Sequence, residues 1–270
     1  LLNCEADGVD GRLATWFPEG FDLYCVAVQE ALCWSELIDR ALGVLNGRGD
    51  YEVLASDSIG SAATGLGFHG FIGLAVFAKR ADVAAGAVAL GLGYGDMNQG
   101  LDTILQQGGM SKEKRQGLAV LNQGTAGLPN KGAVGVQVAF FDSTLLFVGA
   151  HLPADGKQGA KLHRRHAAVA DVLGRLDLGV KGPAGKFDAH LAAATHTFFL
   201  GDLNYRAPTA SPRDTLRRVS AACRADASLV EHAKASAYDE GRTLWAEATR
   251  DDELIRERRC GRVFVGFREA

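Results

Sequence analysis

Four short stretches of this sequence set polar residues at the ends of apolar runs, where reactive side chains collect in open α/β sheets. Gln29-Glu30 closes the run CVAV. A carboxylate there suits a hard divalent cation, which takes one or two carboxylates and keeps several waters. His151 closes LLFVGA, and an imidazole at that point can donate to a phosphoryl oxygen or exchange a proton. Asp202 and Asn204, in FFLGDLNYR, lie two apart and so on one face of a strand. A carboxylate beside a carboxamide can take a proton from water while the amide holds an oxyanion, as hydrolysis requires. Gly201 permits a close backbone approach just before that acid. Asn130-Lys131-Gly132 offers an ammonium to an anionic substrate. Taken alone, each stretch also has a plainer reading: a solvated strand-end acid, a structural histidine, an Asx turn, a surface turn.

The elements that must position these residues follow from periodicity. Asp22 to Glu30, Tyr51 to Ser56, Phe71 to Lys79 and His196 to Leu203 read as strands. Ala133 to Phe141 and Thr144 to His151 form a hairpin around Asp142-Ser143. Ser35 caps a helix running to Leu45, with Leu37, Ile38, Ala41, Leu42 and Leu45 on one face. A longer helix spans Lys157 to Leu176, and the HRRH run His163 to His166 reads as its solvated face. Ser211-Pro212 opens another helix. Helical stretches over Ala227–Ser236 and Glu240–Arg258 follow, then a strand-like run from Arg262 to Phe267. Ala81 to Leu128, rich in glycine and polar residues, reads as an irregular excursion. Strands alternating with helices, plus a hairpin, indicate a mixed α/β sandwich in one domain.

Composition narrows the classes. Of 270 residues, 47% are apolar and 23% charged, which excludes a disordered tail. Lysine and arginine number 29 against 32 acids, a net charge of −3 that gives a nucleic-acid partner little attraction. The most apolar run, Phe71 to Ala78, is far short of the ~20 residues of a membrane helix. Five cysteines without CxxC spacing point to reduced thiols and a cytoplasmic setting, not to a zinc site or a disulfide framework.

Taken in order, VAVQE, NKGAVGVQVAF, DSTLLFVGAHLPA, FFLGDLNYR and GRVFVGF resemble the catalytic domain of inositol polyphosphate 5-phosphatases. The resemblance runs from Asn3 to Ala270, and GDLNYR with NKGAVG upstream is its most specific part. It implies a DNase I-like four-layer sandwich of the endonuclease-exonuclease-phosphatase superfamily, with two mixed sheets face to face and helices outside. It also implies Mg²⁺-dependent hydrolysis of the 5-position phosphate of inositol polyphosphates or phosphoinositides, such as phosphatidylinositol 4,5-bisphosphate or 3,4,5-trisphosphate. On this resemblance Glu30 is the principal metal ligand, with Asn3 near the metal. His151 contacts the scissile phosphate, Asp202 activates water, and Asn204 is its transition-state partner. Asn130, Lys131 and Arg206 face substrate phosphates. A peripheral contact with a membrane surface follows if the substrate is a lipid.

The sequence also departs from the family pattern. Leu2 stands where the family has a tryptophan, and Ala81–Leu128 is longer than usual. The proline-aromatic, PxWCDR and SDH motifs that follow in the family do not appear, and no other histidine stands in for theirs. The expectation is a domain truncated at both ends and inactive by itself. The alternative is a non-catalytic remnant that binds phosphoinositide or protein. A nuclease or sphingomyelinase of the same superfold ranks last, because it leaves NKGAVG and GRVFVGF unexplained.

Overall fold

The longest unbroken apolar run makes a central strand, β3 (Gly70–Lys79), in the computed structural model. The described residues are 13–61, 70–91, 118–122, 131–154, 162–176, 178, 194–206, 213, 214, 217 and 252–268. The chain divides into two compact units, Leu1–Leu152 with Ala170–Leu203 and Pro153–Val169 with Asn204–Ala270.

In the first unit, β1 (Leu23–Ala31) and β2 (Tyr51–Ser61) pair antiparallel on either side of β3. Leu74, Val76 and Ala78 of β3 are fully buried on one face, and Ala75 and Phe77 on the other. A strand covered on both sides needs such a run, since no residue can be left to water. Helix α1 (Trp34–Asn46) supplies one cover: Trp34, Leu37, Ile38, Ala41 and Leu45 pack with Val28, Tyr51 and Phe77. It begins one residue before Ser35, and no side chain caps it. Ser35 therefore sits in the first turn and does not cap, and Leu42 is only partly buried.

The second sheet gives the other cover. It contains β4 (Val88–Leu90), β5 (Leu118–Asn122), β6 (Gly132–Phe140), β7 (Ser143–His151) and β8 (His196–Asp202). β6 and β7 form the expected hairpin, but Phe140 pairs with Ser143, so the turn is Phe141-Asp142, with Phe141 at φ +53°. β4 and β5 pair with β6 at residues 138–140 and 132–136. As β7 fills the opposite edge of β6, the two short strands follow one another along a single edge. The expected irregular excursion is corrected here: its described parts form helix α2 (Arg80–Ala84) and two strands. β8 runs parallel to β7, so the mixed pairing lies in this sheet, while the described strands of the first are antiparallel. Val134, Val136, Val138 and Phe147 meet Leu74, Val76 and Ala78 across the sandwich. Burying such a layer of valine- to phenylalanine-sized side chains is worth ~1.5–3 kcal/mol for each.

In the second unit, the segment Leu162–Val169 belongs to helix α3 (Leu162–Arg175), and Glu253–Arg259 forms α4. The solvated reading of the HRRH run fails in its second half, where Arg165 is buried and His166 is half-buried against Tyr205. His163 and Arg164 are exposed, but Arg165 is 0% exposed and its Nη2 stands 2.8 Å from Glu253 Oε2. Arg262–Phe267 is not a strand. Phe264 and Gly266 adopt φ of +48° and +87°, which breaks an extended ladder, and the Phe267 N–H closes a turn on the Phe264 carbonyl. Of the helix expected to open at Ser211-Pro212, the described residues Arg213, Asp214 and Arg217 are helical, and the stretch expected over Ala227–Ser236 lies outside the described residues.

Glu257, on α4, is buried and held by Arg262 and Arg256, with Arg262 Nη2 at 2.8 Å and Arg256 Nε at 3.0 Å. The Arg262 hydrogen bonds, above all, pull its carboxyl down to about 2 from an ordinary 4.5. A depressed carboxyl stabilises the fold fully above its unfolded value and loses that contribution as pH falls toward the folded one. Hydrogen exchange across 252–268 is therefore expected to accelerate between pH 4.5 and 2, beyond the intrinsic rate change. Glu257→Gln should flatten that response; an unaltered profile would show that the carboxylate does not hold this segment.

Candidate active site

Glu30 owes its position to an irregularity in pairing. Val28 lies opposite Gly73 and Ala31 opposite Phe71, so β1 carries one residue more than β3. The extra residue is absorbed as a bulge, with Glu30 at φ +57°. Bulges bend a strand and re-aim its side chains, and they recur beside active sites. Gly70 faces this kink at φ +64°, and a Cβ there would lie 2.5 Å from the Ala31 carbonyl oxygen.

His151, Asp202 and Lys131 converge by register. Parallel pairing sets the last residue of β7, His151, beside the last of β8, Asp202. Antiparallel pairing sets Gly132 opposite His151, which brings Lys131 to the same end of the sheet. Glu30 joins them from the other sheet. His151 Nε2 lies 3.6 Å from Asp202 Oδ2 and 3.9 Å from Glu30 Oε1. Lys131 Nζ is 2.9 Å from Nε2 and 3.3 Å from Nδ1.

The imidazole is 2% exposed, and burial first, then the Lys131 ammonium, lower its pKa to about 4 against the pull of Asp202 and Glu30. At neutral pH the ring is uncharged. An ammonium donates only to a nitrogen with a free lone pair, so the shorter contact assigns Nε2 as acceptor and Nδ1 as the protonated donor. Burial likewise lowers Lys131, with Glu30 and Asp202 opposing. Two carboxylates around one ammonium and a neutral ring leave an excess of negative charge, which favours a bound cation.

The donor set decides which cation fits. Among the described residues no group of three or more His, Cys, Asp or Glu side chains is arranged to enclose a metal. The Glu30 and Asp202 side chains are 33% and 41% exposed, so each keeps access to water. One or two partly solvated carboxylates fit a hard cation that retains its waters, and not the closed nitrogen-sulfur set that zinc takes.

Gly201, just before Asp202, has φ +125°, and a Cβ there would stand 2.1 Å from the Ala150 carbonyl oxygen. Only glycine lets β8 close on β7 at this point. Gly201→Ala is expected to cost ~2–4 kcal/mol of stability, combining backbone strain and overpacking. A urea denaturation midpoint unchanged from wild type would contradict it.

The remaining predicted residues divide simply. Asn204 and Arg206 belong to the second unit: Asn204 is 6% exposed at φ +55°, and Arg206 Nη2 donates to its Oδ1 at 2.8 Å. Asn3 and Asn130 lie outside the described residues. Sequence reasoning missed Arg165 and Glu253. The DDEL pattern does signal a helix start, with Asp252 Oδ1 accepting from the Ile255 N–H at 3.0 Å, but nothing local marks Glu253 as buried.

The model of the endonuclease/exonuclease/phosphatase family 2 matches residues 3–270. The chain belongs to that family. Among curated relatives, zebrafish (Danio rerio) phosphatidylinositol 3,4,5-trisphosphate 5-phosphatase 2A is 42% identical over 33% of this chain and 7% of its own length. Arabidopsis thaliana type I inositol polyphosphate 5-phosphatase 5 is 29% identical over 53% of this chain and 23% of its own. Human phosphatidylinositol 3,4,5-trisphosphate 5-phosphatase 1 is 33% identical over 53% and 10%. The chain thus spans less than a quarter of each of these relatives. A solved structure of the inositol polyphosphate 5-phosphatase domain of SPsynaptojanin, with inositol (1,4)-bisphosphate and calcium, superposes with a TM-score of 0.55 at 18% identity. That match covers 97% of this chain and 60% of the other, and shows the fold of this family member to be the DNase I-like sandwich.

Proposed function

We propose that the protein containing this chain hydrolyses the 5-position phosphate of inositol polyphosphates or phosphoinositides. The observation that carries this reading is the register-locked group Lys131, His151 and Asp202, with Glu30 turned toward it by a bulge. Relatives named as 5-phosphatases for both soluble and lipid substrates support it. Asp202 takes a proton from the attacking water. His151 donates from Nδ1 to a phosphoryl oxygen, and Lys131 offsets charge on the substrate. Asn204 donates to the transition state, and Asn130 contacts a substrate phosphate. Glu30, with Asn3, would hold Mg²⁺, whose positive charge would offset that developing on the phosphoryl group. The setting is cytoplasmic, with peripheral contact at a membrane when the substrate is a phosphoinositide.

The test is phosphate release by the full-length protein with Mg²⁺. Inositol 1,4,5-trisphosphate and vesicles of phosphatidylinositol 4,5-bisphosphate should both be offered, with inositol 1,4-bisphosphate as the compound lacking a 5-phosphate. Release from the first two and not from the third is expected. Equal release from all three would sink the 5-position assignment, and tight binding without release would favour the non-catalytic remnant.

A further inference from the structure

Five residues of the second unit, Arg165, His166, Tyr205, Arg206 and Glu253, form a latch at the Asn204–Arg206 end of the GDLNYR motif. The Arg206 N–H donates to Glu253 Oε2 at 3.0 Å, and the Glu253 N–H returns a bond to the Arg206 carbonyl at 2.9 Å. This reciprocal pair fixes the backbone of Arg206 at two points. Arg165 Nη2 donates to the same Glu253 oxygen at 2.8 Å, and both side chains are fully buried. The Arg165 guanidinium also lies 5.3 Å from the centre of the Tyr205 ring, which stacks on His166 at 5.9 Å. Tyr205 is thus held from α3 and Arg206 from α4.

The Arg206 side chain turns back on Asn204. A guanidinium has no acceptor, so the atom it meets at 2.8 Å must be the carboxamide oxygen. That contact fixes which way the amide is flipped, and its two N–H donors must lie on the other side. A carboxamide that serves a developing oxyanion gains most from being oriented before the reaction begins.

We infer that Arg206 and Glu253 are positioning residues: Glu253 anchors Arg206, and Arg206 orients the Asn204 carboxamide. This rests on the reading of Asn204 as a transition-state donor in phosphate hydrolysis, and it assigns Arg206 to Asn204 in place of a substrate phosphate. A substrate contact and a positioning contact leave different kinetic traces. Losing uniform substrate binding raises KM, whereas losing an interaction made through a transition-state group lowers kcat.

Arg206→Ala in the full-length protein is expected to lower kcat by ~10–100-fold, with KM moving less than about threefold. Combined with Asn204→Ala it should add almost nothing to the loss from Asn204→Ala alone, as residues acting in series are non-additive. Glu253→Ala should lower kcat similarly and speed hydrogen exchange in peptides covering 204–206. Glu253→Gln combined with Arg165→Met, which leaves no buried charge unpaired and keeps an oxygen to accept from the Arg206 N–H, should recover most of both losses. A raised KM with independent, multiplying losses would overturn the positioning role and return Arg206 to the substrate. Exchange at 204–206 that ignores Glu253→Ala would overturn the latch whether or not phosphate is released. If the wild-type protein releases no phosphate, the hydrolase reading fails, and Asn204 loses the role on which this inference stands.

Discussion

Asp202→Asn in the full-length protein is expected to lower phosphate release by ~10²–10⁴-fold, to the edge of detection, while substrate still binds. The substitution keeps the size and shape of the side chain while replacing one basic carboxylate oxygen with an N–H donor and removing the negative charge. Asp202 ends a strand that the whole length of β7 holds in register, from Leu145–His196 to His151–Asp202. Its Cα therefore has little freedom to move in response. The side chain is 41% exposed, so water reaches it without a conformational change. Single-turnover release and equilibrium binding, measured on the same preparation, separate the two effects. Unchanged turnover would remove Asp202 from the role of base, and lost binding would make it a substrate ligand.

Arg165→Met is the second large effect, and it falls on stability. Arg165 and Glu253 are 0% and 1% exposed, so removing the arginine strands a carboxylate away from water. Breaking one side of such a pair costs ~3–5 kcal/mol, more than the pair contributes in net terms, because the surviving charge is uncompensated. For a chain of this size the loss corresponds to a Tm lowered by ~6–20 °C. Adding Glu253→Gln to Arg165→Met should restore most of it, since the orphaned charge is then gone. A drop of less than about 2 °C in the single variant would mean that the carboxylate finds another partner or is not buried in solution.

These two residues also mark what can be read from the chain alone. Asp202, His151 and Glu30 are legible because each closes a β-rich apolar run, and the end of a buried strand is where a polar residue stands out. Their convergence is less legible. It depends on parallel pairing between β7 and β8, and on one extra residue in β1, neither of which a hydrophobic pattern records. Arg165 illustrates the opposite case. Its neighbours His163 and Arg164 are exposed, so the local pattern is that of a solvated face. The acid that permits its burial stands 88 positions away. Arg262–Phe267 misleads for another reason: its apolar alternation suits a strand, but left-handed residues at Phe264 and Gly266 turn it. β4 and β5 escape notice because three and five residues carry too little period to detect.

The shared edge of β6 has a use in engineering. Leu90 pairs with Val138 and Leu118 with Val136, so the end of β4 and the start of β5 lie roughly 7 Å apart along one strand. A segment whose two ends nearly touch can be exchanged or enlarged at small entropic cost. The stretch 91–117 is thus a natural socket for grafting, where a reporter or a foreign domain can be spliced in without asking the sandwich to re-thread.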